Sequence, residues 1–220
     1  MLSPRIPVAR EGYPFIGFAA FVTVVFAALA HEPLAWIGLL VTTFSLAFFR
    51  DPERFVPAGD HLAVSPADGK IIAIDKVMDE AFTGEQVHKV SIFMNVFNVH
   101  VNRAPAGGTV ERIIYRPGRF YAADSAKGAL HNEYCATVLL TSSGQRLACV
   151  QIAGLIARRI VCWLEPGDTL ERGRRFGLIR FGSRVDLYLP LKAQLLVQTG
   201  QKVRAGETVI ADLAQPARPA

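Results

Sequence analysis

Two apolar runs open the chain, Pro14 to Ala30 and Pro33 to Phe49, each of 17 residues and separated only by His31-Glu32. A helix of that length rises about 26 Å, slightly less than the roughly 30 Å hydrocarbon core of a bilayer. The pattern predicts an N-terminal apolar helical hairpin within residues 1–50. Three arrangements suit it: a thin spanning pair, a pair lying shallowly in one leaflet, and burial in a soluble core. Ala28-Leu29-Ala30 after an apolar run also resembles a signal-peptide cleavage site. Cutting there, however, would expose the second apolar run and export a domain with three cysteines, an odd number. Arg5 and Arg10 precede the pair and Arg50 and Arg54 follow it, so the positive-inside rule places both ends on the cytoplasmic side of the cell membrane.

From Asp51 the pattern shifts to short alternating or apolar runs separated by Gly and Pro, which predicts a β-rich domain over residues 51–213. Expected strands are Lys70 to Ile74, Val87 to Phe93, Thr109 to Tyr115, Ala136 to Thr141, Arg146 to Ile152, Ile160 to Leu164, Leu178 to Phe181 and Val185 to Leu189. Within this domain Glu165 to Gly173 and Gln198 to Gly206 share one pattern, x-x-Gly-polar-x-apolar-x-x-Gly. Glycines six apart around one apolar residue suit tight links between short strands. The pattern resembles the turns of biotinyl and lipoyl domains. The expected fold is therefore mainly β, a biotinyl/lipoyl-like barrel-sandwich core with extra strands. A carrier role would need a modifiable Lys in a protruding hairpin, and Lys202 lies inside the repeat, which favours a structural use. Residues 214–220 read as a flexible tail.

Composition narrows the partners. Apolar residues make up 51% and charged residues 20%, with a net charge of +5. Such a chain leans toward a membrane, and its basic surface suits anionic lipid. No nucleic-acid motif or Lys/Arg stripe with stacked aromatics accompanies the charge, so nucleic acid is not an expected partner. Cys135, Cys149 and Cys162 lack metal-ligand spacing, and reduced buried thiols are expected, with no metal.

The candidate chemistry centres on Phe176 to Pro190, where Gly182-Ser183 separates two strand-like runs. On residues alone this is a turn or bulge, because Gly accepts backbone angles that others avoid. The alternative is that Ser183 is a nucleophile toward its own chain, with Gly182 permitting the tight geometry.

Four stretches decide between these readings: Phe49-Arg-Asp-Pro-Glu-Arg54, Ser65-Pro-Ala-Asp-Gly-Lys70, Phe93 to Arg103, and Phe181-Gly-Ser-Arg184 with Val185-Asp-Leu-Tyr188. In this order they resemble the phosphatidylserine decarboxylase proenzymes of the short bacterial and archaeal class, over about residues 49 to 212. The resemblance implies that Ser183 attacks the Gly182 carbonyl, splits the chain into pieces of 182 and 38 residues, and becomes a pyruvoyl cofactor. That group would hold the substrate amine as a Schiff base while phosphatidylserine in the bilayer becomes phosphatidylethanolamine. It also implies that His100 is the base for Ser183 and that Asp68 orients the imidazole. Without it, His100 is a half-exposed strand residue in the alternating run Val96 to Val101, and Asp68 belongs to an Asp-Gly turn. Softer candidates for the headgroup are His131, in the loop His131-Asn132-Glu133, and Arg103 and Arg184, whose guanidinium groups suit phosphate. Arg184 stands where longer family members carry Ser or Thr. His61 and His88 receive no role. The two cut pieces are expected to stay associated, and an oligomer is compatible with the sequence. The rival functions are a membrane-anchored biotinyl/lipoyl-like binding module without catalysis, and a pyruvoyl decarboxylase of a soluble amino acid.

Overall fold

A computed structural model describes residues 7–118, 121, 132–154, 159–180 and 183–214. The chain divides into two compact units, Met1–Glu53 and Arg54–Ala220.

The first unit is a helical hairpin of α1 (Tyr13–Ala28) and α2 (Glu32–Phe48), each with a proline in its first turn, where the missing N–H costs nothing. The chain reverses at Ala30, whose φ of 58° is the only positive value at a described non-glycine residue. Thr23 and Thr42 meet across the pair at 3.2 Å, and Gly38 packs against Thr23, a small-residue contact of the kind that joins helices in lipid. Both open ends are tied together, Ala9 N–H to Phe49 O at 2.8 Å and Asp51 N–H to Pro7 O at 2.8 Å. Phe18, Phe21, Val24, Trp36 and Leu40 are exposed on the outside. Among the described residues one helical stretch, Arg10–Ala28, is long and apolar enough to cross a membrane; α2 is shorter.

The second unit is mainly β, as expected. In chain order its strands are β1 (Leu62–Val64), β2 (Gly69–Asp79), β3 (Glu85–Met94), β4 (Val101–Arg103), β5 (Gly108–Arg116), β6 (Tyr134–Leu140) and β7 (Arg146–Ala153). They continue with β8 (Ile160–Cys162), β9 (Thr169–Leu170), β10 (Arg175–Ile179), β11 (Ser183–Pro190), β12 (Gln194–Leu195), β13 (Lys202–Val203) and β14 (Val209–Asp212). An eight-stranded sheet has the order β13-β2-β3-β11-β7-β6-β5-β9, and two three-stranded sheets have the orders β1-β14-β12 and β4-β10-β8. Among the described residues all pairings are antiparallel.

Those orders are symmetric. Strands β4 to β10 repeat the plan of β1, β2, β3, β11, β12, β13 and β14, with β11 and β7 side by side at the centre. The second half is inserted into the first between β3 and β11. Pro66-Ala-Asp-Gly69 and Pro105-Ala-Gly-Gly108 are corresponding turns, and they exchange hydrogen bonds: Val64 N–H to Pro105 O at 2.8 Å and Arg103 N–H to Pro66 O at 2.9 Å. Register shifts recur at matching places, Ile71/Ala73 in β2 and Val110/Arg112 in β5. His61 proves to be the counterpart of His100: their carbonyls accept the N–H groups of Leu213 and Ile179 respectively.

The glycine repeat closes both edges of the large sheet. β9 and β13 lie inside its two copies, with Leu170 and Val203 buried, and Gly167, Gly173, Gly200 and Gly206 all have positive φ. At Gly206, φ is 75° and an added Cβ would lie 2.9 Å from Arg103 Cδ. Gly206→Ala is therefore expected to cost about 1–2 kcal/mol in a denaturant melt, whereas Gly17→Ala, which meets nothing, is expected to be neutral or stabilising.

The core lies between the large sheet and the two small ones and includes Ile71, Ile92, Met94, Leu147, Phe176, Ile179, Val185, Leu187 and Ile210. Phe82 covers the other face of the large sheet, edge-on to Tyr134 at 5.9 Å and Tyr188 at 5.4 Å. Buried on both faces, β11 carries side chains into both layers.

Candidate active site

Ser183 is the first residue of β11 and is 0% exposed. It pairs with Met94 on β3 and Ala153 on β7, and its hydroxyl donates to the Met94 sulfur at 3.3 Å. Ser183 thus stands where the inserted half returns to the first. Gly182 and Phe181, the other side of the expected cut, lie outside the described residues, as does His131.

His100 precedes β4 and is 2% exposed. The run Val96 to Val101 is not a strand, since a turn at Asn95–Asn98 interrupts it. Asn95 N–H donates to the Asn98 side chain and Phe97 N–H to the Asn95 side chain, both at 2.9 Å. His100 Nδ1 lies 2.9 Å from the Asn98 carbonyl. A carbonyl only accepts, so Nδ1 carries the proton and the neutral ring has its lone pair on Nε2. The His100 carbonyl in turn accepts from Ile179 N–H at 3.3 Å, which fixes β4 beside the strand that leads to the expected cut.

Asp68 is held from two sides: Arg54 donates to Oδ2 at 2.8 Å and Ala205 N–H to Oδ1 at 2.7 Å. Arg54 also reaches Glu207 at 3.1 Å. The Asp68 turn is fastened to β4, because Pro66 O accepts from Arg103 N–H at 2.9 Å and from Asn102 Nδ2 at 3.4 Å. Asn102 Nδ2 is also 3.8 Å from the Met94 sulfur, while its Oδ1 accepts from Gln151 Nε2 at 2.9 Å. The Met94 sulfur therefore sits between the Ser183 hydroxyl and the Asn102 amide, linking the Ser183 strand to the Asp68 turn. The sequence alone gives Met94, Asn102 and Gln151 no part in the site, and Arg54 only a place in the basic flank of the hairpin and in a family-like stretch. The signal for Gln151 was an amide within the apolar run Ala148 to Ala153.

Asn132 and Glu133 reach the same place from β6. Asn132 Nδ2 donates to Ala153 O at 2.7 Å and Ala153 N–H donates to Glu133 O at 2.9 Å, and Ala153 is the cross-strand partner of Ser183. Arg103 is buried, with a bond to Gly173 O at 3.1 Å. Arg184 is buried on the opposite face of β11 from Ser183, because side chains alternate along a strand. It binds Asp186 through two nitrogens, at 2.6 and 2.9 Å, and the Ser91 hydroxyl at 2.8 Å. His88 pairs with Leu189 at the far end of β11, and burial lowers its pKa. Cys135 lies opposite Gln151. The interaction of its thiol with Cys162 pulls Cys162 down and pushes Cys135 up, with burial adding to the rise of Cys135.

Fold and site together define a duplicated β protein in which a buried serine hydroxyl opens a largely buried central strand. The chain belongs to the phosphatidylserine decarboxylase family, whose family model matches residues 41–211. It is 63% identical to the phosphatidylserine decarboxylase proenzyme of Desulfotalea psychrophila, over 97% of this chain and the whole of the relative. Proteins of the same name from Ralstonia nicotianae and Nitratidesulfovibrio vulgaris are 50% and 51% identical, each over 96% of this chain and 97% of the relative.

Proposed function

We propose that this chain is a membrane-bound proenzyme that cuts itself between Gly182 and Ser183 and then decarboxylates phosphatidylserine to phosphatidylethanolamine. The observation that carries the reading is the hydroxyl of Ser183, buried at the start of β11, in a member of this family. His100 Nε2 accepts the Ser183 proton as Oγ attacks the Gly182 carbonyl. The peptide becomes an ester, elimination frees the Gly182 carboxylate and leaves dehydroalanine at residue 183, and water hydrolyses its imine tautomer, releasing ammonia and leaving a pyruvoyl group. That ketone supplies the electron sink for the departing carboxylate once the headgroup amine has joined it.

Burial supports this end product. A chain beginning with a protonated serine would place an ammonium at a fully buried position, which is costly, whereas a neutral ketone is tolerated there. Asp68, clamped by Arg54 and Ala205, stabilises the charged imidazole of His100. Arg103 and His131 take the headgroup. We assign Arg184 a structural task, since Asp186 and Ser91 already engage its Nε and Nη2. The two pieces stay together because β11 is paired on both sides. The hairpin holds the enzyme at the cytoplasmic face of the cell membrane: its ends are tied together, and arginines precede and follow it.

Intact mass under denaturing conditions tests the reading. Wild-type protein is expected as two chains meeting at residues 182 and 183, the smaller lighter by one ammonia than a chain starting with serine, and Ser183→Ala as one chain of 220 residues. Cut protein should release carbon dioxide from phosphatidylserine vesicles. A wild-type chain that stays whole defeats the proposal.

A further inference from the structure

Among the described residues of the β unit, the two most exposed large apolar side chains are Phe55, at 91%, and Phe97, at 73%. Both adjoin the site. Phe55 follows Arg54, which binds Asp68 at 2.8 Å, and Phe97 precedes Asn98, whose carbonyl holds His100 at 2.9 Å. Neither stands on loose backbone. Phe97 is at the tip of the Asn95–Asn98 turn, closed by two side-chain bonds and by Asn98 N–H to Asn95 O at 3.0 Å. Phe55 lies between Arg54, with its two carboxylate partners, and Pro57, whose carbonyl accepts from Arg172 at 2.6 Å.

Held in water, such rings forgo the gain of burial, and a pinned backbone prevents them from folding inward. Each ring has a polar neighbour in the chain, Arg54 beside Phe55 and Asn98 beside Phe97. Phe is among the side chains that proteins lying on a bilayer bury at the boundary of headgroups and acyl chains. We infer that Phe55 and Phe97 enter the bilayer surface and hold the mouth of the site at headgroup depth. The inference rests on the lipid-decarboxylase reading and adds to it a second membrane contact, made by the β unit itself.

Phe55→Ser, Phe97→Ser and the double variant test it, with intact mass confirming that each is cut. Turnover is measured on vesicles of phosphatidylcholine containing phosphatidylserine, and on a short-chain phosphatidylserine dissolved as monomers. Each single change is expected to lower kcat/KM on vesicles about tenfold, through KM, and the double change further, with turnover of the monomeric lipid unchanged. Equal turnover on vesicles, or an equal loss on both substrates, overturns the inference. A second measurement is independent of the chemistry. In uncut Ser183→Ala protein carrying Trp36→Phe and Trp163→Phe, a Phe97→Trp reporter is expected to be quenched by lipids brominated along the acyl chain. Emission that ignores those lipids overturns the inference even if the enzyme is active. A protein that meets the quenching test but never cuts in wild-type form would keep the contact and defeat the decarboxylase reading.

Discussion

His100→Ala is expected to slow cleavage of the Gly182–Ser183 bond by about a hundredfold to ten-thousandfold, the usual worth of a positioned general base. The check is a time course of chain cutting after synthesis in a cell-free system, with a thermal melt to show that the variant folds. Added imidazole should restore part of the rate in the variant. Cutting at the wild-type rate in a folded His100→Ala protein would remove His100 from the mechanism. The expectation depends on the Asn98 carbonyl, which fixes the tautomer.

The second large effect concerns stability. Asp186→Ala strands the Arg184 guanidinium in a position only 6% exposed. Losing one partner of a buried pair costs about 3–5 kcal/mol, which for a chain of this size lowers Tm by on the order of 10 °C. The measurement belongs in the uncut Ser183→Ala protein, so that unfolding involves one chain. Replacing both partners by leucine should recover most of the loss, because no uncompensated charge then remains. A Tm unchanged by Asp186→Ala would mean that water reaches the guanidinium after all.

Sequence pattern carried the outline of the molecule and lost its finer joints for definite physical reasons. The helices announced themselves by unbroken apolar length, and strands such as β3, β5, β7 and β11 by runs long enough to show alternation. β1, β4, β9, β12, β13 and β14 have two to four residues each, too few for a period to be seen. The glycine repeat was visible because positive φ demands glycine, but the wider duplication was not. Its two halves share little beyond Pro-Ala-x-Gly, and one interrupts the other. Pattern alone sets His100 on an alternating strand, whereas Asn95 and Asn98 bend the backbone there with side-chain bonds, which outweigh an apparent period of two. Asn102 and Gln151 went unremarked for a related reason: a single amide in a short apolar run acquires meaning only when its partner from another strand is known. Ser183, His100 and Asp68 were picked out through family resemblance, and the packing shows how the Met94 sulfur and the Asn102 amide tie their strands together.

The insertion of one half into the other bears on how the protein comes apart. Before cutting, residues 95–182 form a covalent loop between Met94 and Ser183, two residues that pair on neighbouring strands. Closing so long a loop would cost on the order of 4 kcal/mol for a flexible chain, a penalty that shrinks once the intervening half has folded with its ends adjacent. The proposed cut would open this loop permanently. Thereafter the partners released by unfolding must find one another again, so the equilibrium acquires a dependence on concentration that the uncut chain lacks.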